Sequence, residues 1–499
     1  MIAPVSGDVS VWRRRSALRS GLFTGLAQVV LSLVAAGAGA LLAHKFGRNA
    51  ETDGFLSAYA VYLVLLLAAQ AFRMVVVPDL TRAAAEGRLG GELRAHALSL
   101  LLLAVPLCVL VGVLSHPLGD LLTGSLPARS ADIASRALVV LVPAAFVQLL
   151  AALAASGLAA LDSYATAAGG FALGGIVSLA AFAALANAHG IVALAWGLAV
   201  GSVVALVVPA VALRRQGALA GPAPERLEPR RRLWQVVQGA AIPVALQGCY
   251  LISLRLSGKL GVGRVSSFSY AYLAASTIVS ATAFSLGLIS SAPLTRRGID
   301  PDAAGRHVVH AAWVSLTIAG AAAGVFALVG GRIVDVVLGS AYGGGVGREL
   351  GHLVAYLSLW MLAWVTFAVT FPLVFVADRR RTLVPLAAGG FALCLPLSIG
   401  LRSLWGQPGL AVALGLATLA IAAGLLATVA PRTLSIAVVG LARLALAVGA
   451  AAGLAFGALS VALSPVPAAL LGAVVYALVI VSLRSLGLSE AWGYVRRLH

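Results

Sequence analysis

The chain has 499 residues, 61% of them hydrophobic and only 10% charged, with a formal net charge of +18. A water-soluble protein of this length cannot cover so much apolar surface, which excludes the soluble globular class. The basic excess does not mark a nucleic-acid binder, because the arginines sit in short clusters between apolar runs, the pattern of loops that orient a membrane protein. Affinity for anionic membrane lipids is the expected by-product.

The first element follows Arg13, Arg14, Arg15 and Arg19 and runs over 21–43. It is longer than the ~7–15-residue apolar stretch of a cleaved signal peptide, so it reads as an uncleaved first span. Small residues from Gly37 to Ala40 leave cleavage open as the alternative. Thirteen further apolar runs follow at 54–78, 95–116, 133–156, 165–188, 190–213, 236–259, 267–292, 307–330, 350–376, 383–402, 408–430, 434–460 and 466–484. Runs of this length cross a ~30 Å hydrocarbon layer as helices, and the absence of period-two alternation argues against a barrel. The expected fold is all-α: a polytopic membrane protein with about 14 transmembrane helices. The count turns on His189-Gly190, which alone separate the fifth and sixth runs.

Charge tests that count. With the N-terminus inside and the spans alternating, 23 Lys and Arg residues fall on cytoplasmic segments and 9 outside. Losing one span midway would put the later clusters on the wrong side, so both termini are expected in the cytoplasm.

The chain also reads as a duplication. Lys45 and Lys259 are its only two lysines, and each ends an odd-numbered span ahead of a Gly-Arg pair. Pro78-Asp79-Leu80-Thr81-Arg82 and Pro293-Leu294-Thr295-Arg296 end the spans that follow. The expected organisation is a basic N-terminus (1–20), a six-helix lobe (21–213) and a cytoplasmic linker (214–233) with Gly221, Pro222, Pro224 and Pro229. A second six-helix lobe (234–430), two extra helices (431–484) and a cytoplasmic tail (485–499) complete it. Parallel repeats of this kind typify alternating-access transporters with a substrate site between the lobes.

Intramembrane polar residues are the candidate site, since each charge at a helix centre costs about 2.5–3.5 kcal/mol on insertion scales. Arg73 lies roughly 7–8 Å inside the cytoplasmic end of span 2 at 1.5 Å per residue, and either snorkels to the headgroups or lines a cavity. Arg255, one turn inside the outer end of span 7, has the same two readings, and Arg443 reads as a snorkeller. Gln28, Gln70, Gln148 and Gln247 fall within spans, where an amide needs protein or water; helix-to-helix hydrogen bonding is the bland alternative. Gln70 and Arg73 share a helix face. Tyr59 and Tyr62 read as aromatic belt or cavity lining, and Thr52-Asp53 as a helix cap or a site acid. Cys108, Cys249 and Cys394 have neither metal nor disulfide spacing. No nucleotide, nucleophile or zinc motif is present, so neither an enzyme nor a cofactor is expected.

The segment Phe46-Gly47-Arg48-Asn49-Ala50-Glu51-Thr52-Asp53-Gly54-Phe55-Leu56-Ser57-Ala58 resembles the MurJ/MviN family of lipid II flippases, where F-G-x-x-x-x-T-D-x-F-x-x-A joins spans 1 and 2. Ala71-Phe72, Val77-Pro78-x-Leu80, Ser269-Tyr270-Ala271 and Pro293-Leu294 are similar to further family signatures. The resemblance implies the multidrug/oligosaccharidyl-lipid/polysaccharide (MOP) exporter superfamily and a monomer in the bacterial inner membrane. It also implies a lipid-linked saccharide substrate supplied by envelope-synthesis enzymes. The family's cavity arginines would fall near Ser32, Ala38, Leu66 and Leu273, none of them Arg. These departures point from lipid II toward another polyprenyl-linked saccharide. The expected substrate-binding residues are Arg73, Arg255, Gln70, Gln28, Gln247, Asp53, Tyr59, Lys45 and Lys259. Two alternatives stand beside this: an ion-coupled exporter of small amphiphilic cations, and a scaffold that transports nothing.

Overall fold

The computed structural model describes residues 9–220, 229–279, 300–377 and 379–482. Gly221, Pro222, Pro224, the second half of span 8, Pro293 to Arg297, Asp378 and the 485–499 tail lie outside the described residues, as do the side chains of Gln28 and Gln70. The described chain is helical and contains no strand. Helices α1 (Val9–Phe46), α2 (Ala50–Ala85), α3 (Leu89–Val113), α4 (Ser115–Thr123), α5 (Ala128–Ala160), α6 (Tyr164–His189) and α7 (Ala193–Arg215) come first. Then follow α8 (Pro229–Gly258), α9 (264–279), α10 (Pro301–Leu338), α11 (Gly344–Tyr356) and α12 (Ser358–Val376). The last are α13 (Leu383–Trp405), α14 (Gln407–Val429), α15 (Pro431–Ala452), α16 (Ala458–Ala462) and α17 (Pro465–Ser482).

Among the described residues, 12 helical stretches are long and apolar enough to cross a membrane. One of them, Tyr164–Arg215, contains both α6 and α7. Gly190 separates the two by taking φ 60°, a left-handed conformation open to a residue without Cβ. The eighth expected span is represented by α9 as far as residue 279. The helices outrun the apolar runs: α1 starts at Val9, within the basic segment, and α2 continues through Pro78 to Ala85. Proline inside such helices is tolerated because neighbouring groups satisfy the freed carbonyl.

Two compact units divide the chain. One comprises residues up to Leu41, Val61–Gly119 and Asp132–Ala240. Its tightest contact joins α6 to α7. Gly174 faces Gly201, and a Cβ built on Gly174 would stand 2.6 Å from the Gly201 carbonyl oxygen. Gly197 meets the Ser178 carbonyl in the same way. Small residues at intervals of four bring two helices to backbone contact where no hydrophobic drive exists between them.

The other unit comprises Leu42–Ala60, Asp120–Ala131 and Ala241 onward. Here α10 meets α11 through Gly331 and Gly347, α12 packs on α14 at Gly415 and Trp360, and α15 joins α10 where Thr433 donates to the Pro301 carbonyl at 3.0 Å. Asp300 caps α10 by accepting from the Ala303 amide at 3.1 Å. Asp302 takes an ion pair from Arg432 at 2.6 Å, clamping the starts of α10 and α15.

Candidate functional site

The duplicated corners identified in the sequence come together inside the second unit. The first corner turns at Gly47 (φ 67°) and the second at Gly261 and Gly263 (φ 123° and 83°). Asn49, not Thr52, caps α2: its Oδ1 accepts the Thr52 amide at 3.0 Å. The Thr52 hydroxyl donates instead to the Gly47 carbonyl at 2.9 Å. Asp53 is fully buried and serves a different helix. Its carboxylate accepts the Ser266 amide at 2.8 Å and the Gly263 amide, capping the first turn of α9. A carboxylate there answers both the orphan amides and the positive helix end. Arg48 completes the clamp by donating to the Gly263 carbonyl at 3.0 Å and Ser267 Oγ at 3.1 Å.

Neighbouring groups lock the same corner. Tyr342 donates to the Gly47 carbonyl at 3.2 Å. Burial pushes its phenol up to about 12, so it remains a protonated donor at neutral pH. Arg264 pairs with Glu349, Gln407 donates to the Arg264 carbonyl at 2.6 Å, and Arg129 pairs with Glu51 at 2.9 Å.

Deeper in this unit Gln247, 7% exposed, accepts from the Tyr272 hydroxyl at 3.2 Å. Tyr272 stacks on Tyr250 at 3.9 Å between centroids, and Tyr250 donates to Ser269 at 3.0 Å. The rings continue through Trp360 and Trp364 to Phe367, Phe371 and Phe375, each step 4.7–5.3 Å. Arg380 closes the column 5.6 Å over Phe375. Arg255 stands exposed on the last turn of α8 near Gly124, with no ion pair among the described residues. Lys45 and Lys259 are exposed at the corners, and Tyr59 stacks on Phe55 at 6.2 Å.

In the first unit Arg73 is half-buried within α2, its guanidinium carbon 5.7 Å from the Phe171 centroid. That is cation–π distance, and no carboxylate pairs with Arg73 among the described residues. A second cluster escaped the sequence reading. Arg232, at the start of α8, donates to Glu92 of α3 at 2.5 Å and lies 2.9 Å from His96 Nδ1. Glu92 and His96 stand one helical turn apart, a pattern visible in sequence, but nothing there pointed across 140 positions to Arg232. Of the sequence-predicted residues, Asp53, Lys45, Lys259, Tyr59, Gln247 and Arg255 lie in the second unit and Arg73 in the first.

No family model matches the chain, and no curated protein does. Solved structures do. A lipid II flippase MurJ in an inward closed conformation superposes with TM-score 0.73 at 14% identity, covering 93% of this chain and 99% of its own. The chain has the fold of the MOP superfamily. Two further structures of that fold agree. An inward-facing multidrug resistance MATE transporter of the MOP superfamily gives TM-score 0.61 at 12% identity over 84% of this chain and 95% of its own. The eukaryotic MATE transporter AtDTX14 gives 0.62 at 14% identity over 86% and 100%. Within this MOP fold Ser32, Ala38, Leu66 and Leu273 are half-buried.

Proposed function

We propose that this chain is a MurJ-like flippase that carries a polyprenyl-linked saccharide between membrane leaflets by alternating access. The observation that carries the reading is Arg73: a guanidinium inside an apolar helix, stacked on Phe171 and without an acid partner among the described residues. An intramembrane cation left open in this way fits a phosphate. Arg255, exposed on the last turn of α8, supplies a second cation with no ion pair among the described residues. The fuller coverage by the MurJ structure than by the MATE structures, 93% against 84% and 86%, supports the flippase branch. Asp53 would not serve as the exchangeable acid of a cation exporter, because α9 already occupies its oxygens. The saccharide would come from envelope-synthesis enzymes on the cytoplasmic face, and the carrier would act as a monomer.

The test is lipid mass spectrometry on the full chain purified in mild detergent. A polyprenyl-phosphate saccharide should co-purify and should fall at least about tenfold in Arg73→Ala, the equivalent of ~1.4 kcal/mol, with a smaller loss in Arg255→Ala. Bulk phospholipid alone in every sample would overturn the reading.

A further inference from the structure

The ends of α5, α6 and α7 border an open hollow of about 510 Å³ within the first unit. Val139, Val140 and Val192 form its apolar wall, while Arg136, His189 and Trp196 stand round it. The arrangement depends on Gly190, whose left-handed φ of 60° ends α6 at His189 and returns the chain into α7. Val139 and Trp196 are 44% and 46% exposed, so the hollow is open. In a membrane helix these ends sit at the headgroup level, where indole rings concentrate. In the orientation that the charge pattern predicts, the adjacent leaflet is the outer one.

The chemistry is divided in two. Valines offer nothing to a sugar or a polar peptide, yet suit the upper part of an acyl chain. The guanidinium, the imidazole and the indole N–H are donors suited to a phosphate. Asp132, one turn before Arg136 on α5, pairs with it at 3.1 Å. That pair is solvent-exposed and therefore weak, and it uses only one of the five guanidinium hydrogens.

We propose that this hollow holds one anionic phospholipid of the adjacent leaflet, with its phosphate at Arg136 and His189 and an acyl chain along the three valines. The lipid is a resident of the first unit and not the transported cargo. The site is distinct from Arg73, and its occupancy does not depend on what that residue binds.

The test places the full-length protein in nanodiscs containing phosphatidylglycerol or phosphatidylcholine, each with brominated chains that quench tryptophan fluorescence on contact. The brominated phosphatidylglycerol should quench more, and Trp196→Phe should remove that excess although 7 of the 8 tryptophans remain. Titration should show the preference for phosphatidylglycerol falling roughly fivefold in Arg136→Gln, with a smaller loss in His189→Gln, which removes a hydrogen-bond donor. Arg332→Gln, outside the hollow, should leave it unchanged. Equal quenching by the two lipids, or a preference that survives Arg136→Gln with His189→Gln, would overturn the proposal. The proposed flippase activity can fail without touching this result, since no cargo is present.

Discussion

Asp53 has no solvent-exposed surface, and both of its oxygens accept backbone amides from the start of α9. Replacing it by alanine leaves two buried N–H groups unanswered, each costing about 1–3 kcal/mol. Asp53→Ala is therefore expected to lower stability by roughly 2–6 kcal/mol, and Asp53→Asn, which keeps one acceptor, by about half that. Thermal unfolding in detergent, followed by intrinsic fluorescence, measures both; an unchanged midpoint for Asp53→Ala would remove the capping role. A parallel case is Glu92, which is 16% exposed against 14% for Arg232. Glu92→Gln removes the charge partner of Arg232 while keeping an acceptor, and the loss of a charge-assisted hydrogen bond is worth about 1.5–3 kcal/mol. The double change Glu92→Gln, Arg232→Met should recover part of that loss, as a thermodynamic cycle would report. At this scale the sequence was legible in part. It marked Asp53 as a cap or a site acid, but a cap is read locally, and this one serves a helix 210 positions away. Arg48 looked like one more loop cation for the same reason.

Elements were far more legible than residues, because a membrane forces each crossing to be one long apolar helix with its backbone satisfied internally. The runs at 165–188 and 190–213 became α6 and α7, as the turn at His189-Gly190 implied. What apolarity does not encode is where a helix continues into water, which is why α1 and α2 extend beyond their runs. Nor does it encode the short α4 or the break at Leu357 between α11 and α12. The α6–α7 contact carries its own prediction. A methyl on Gly201 would lie 2.5 Å from the Gly174 carbonyl and 2.6 Å from Ser178 Cβ. Gly201→Val should therefore push the helices apart at a cost of about 1–3 kcal/mol or more, while Gly190→Ala should act through backbone strain alone. Folded yield and melting temperature in detergent separate the two: a Gly201→Val protein with native values would mean the pair is looser than its geometry implies.

For the whole molecule, the all-α polytopic fold followed from the apolar runs, while the arginine distribution and the repeated Lys-to-Gly-Arg corner carry the expected orientation and lobe organisation. The structure joins those corners directly, Arg48 of the first to Gly263 of the second. The charge pattern also predicts orientation. In a variant with Cys108, Cys249 and Cys394 replaced by alanine, Lys259→Cys should react with a membrane-impermeant maleimide in intact cells, and Arg214→Cys only after lysis. The opposite labelling would invert the topology. The Asp53 clamp has a consequence for biosynthesis as well. The acid leaves the ribosome 210–213 residues before the amides it binds. At about 5–20 residues per second, that interval is roughly 10–40 s. Throughout it the first corner has already been inserted while the helix it must cap does not yet exist, so a buried position in the finished protein is held open during synthesis. Maturation of this unit is thereby tied to the arrival of its middle section, and a ribosome that stalls before Gly263 leaves the first corner without the helix it is built to cap.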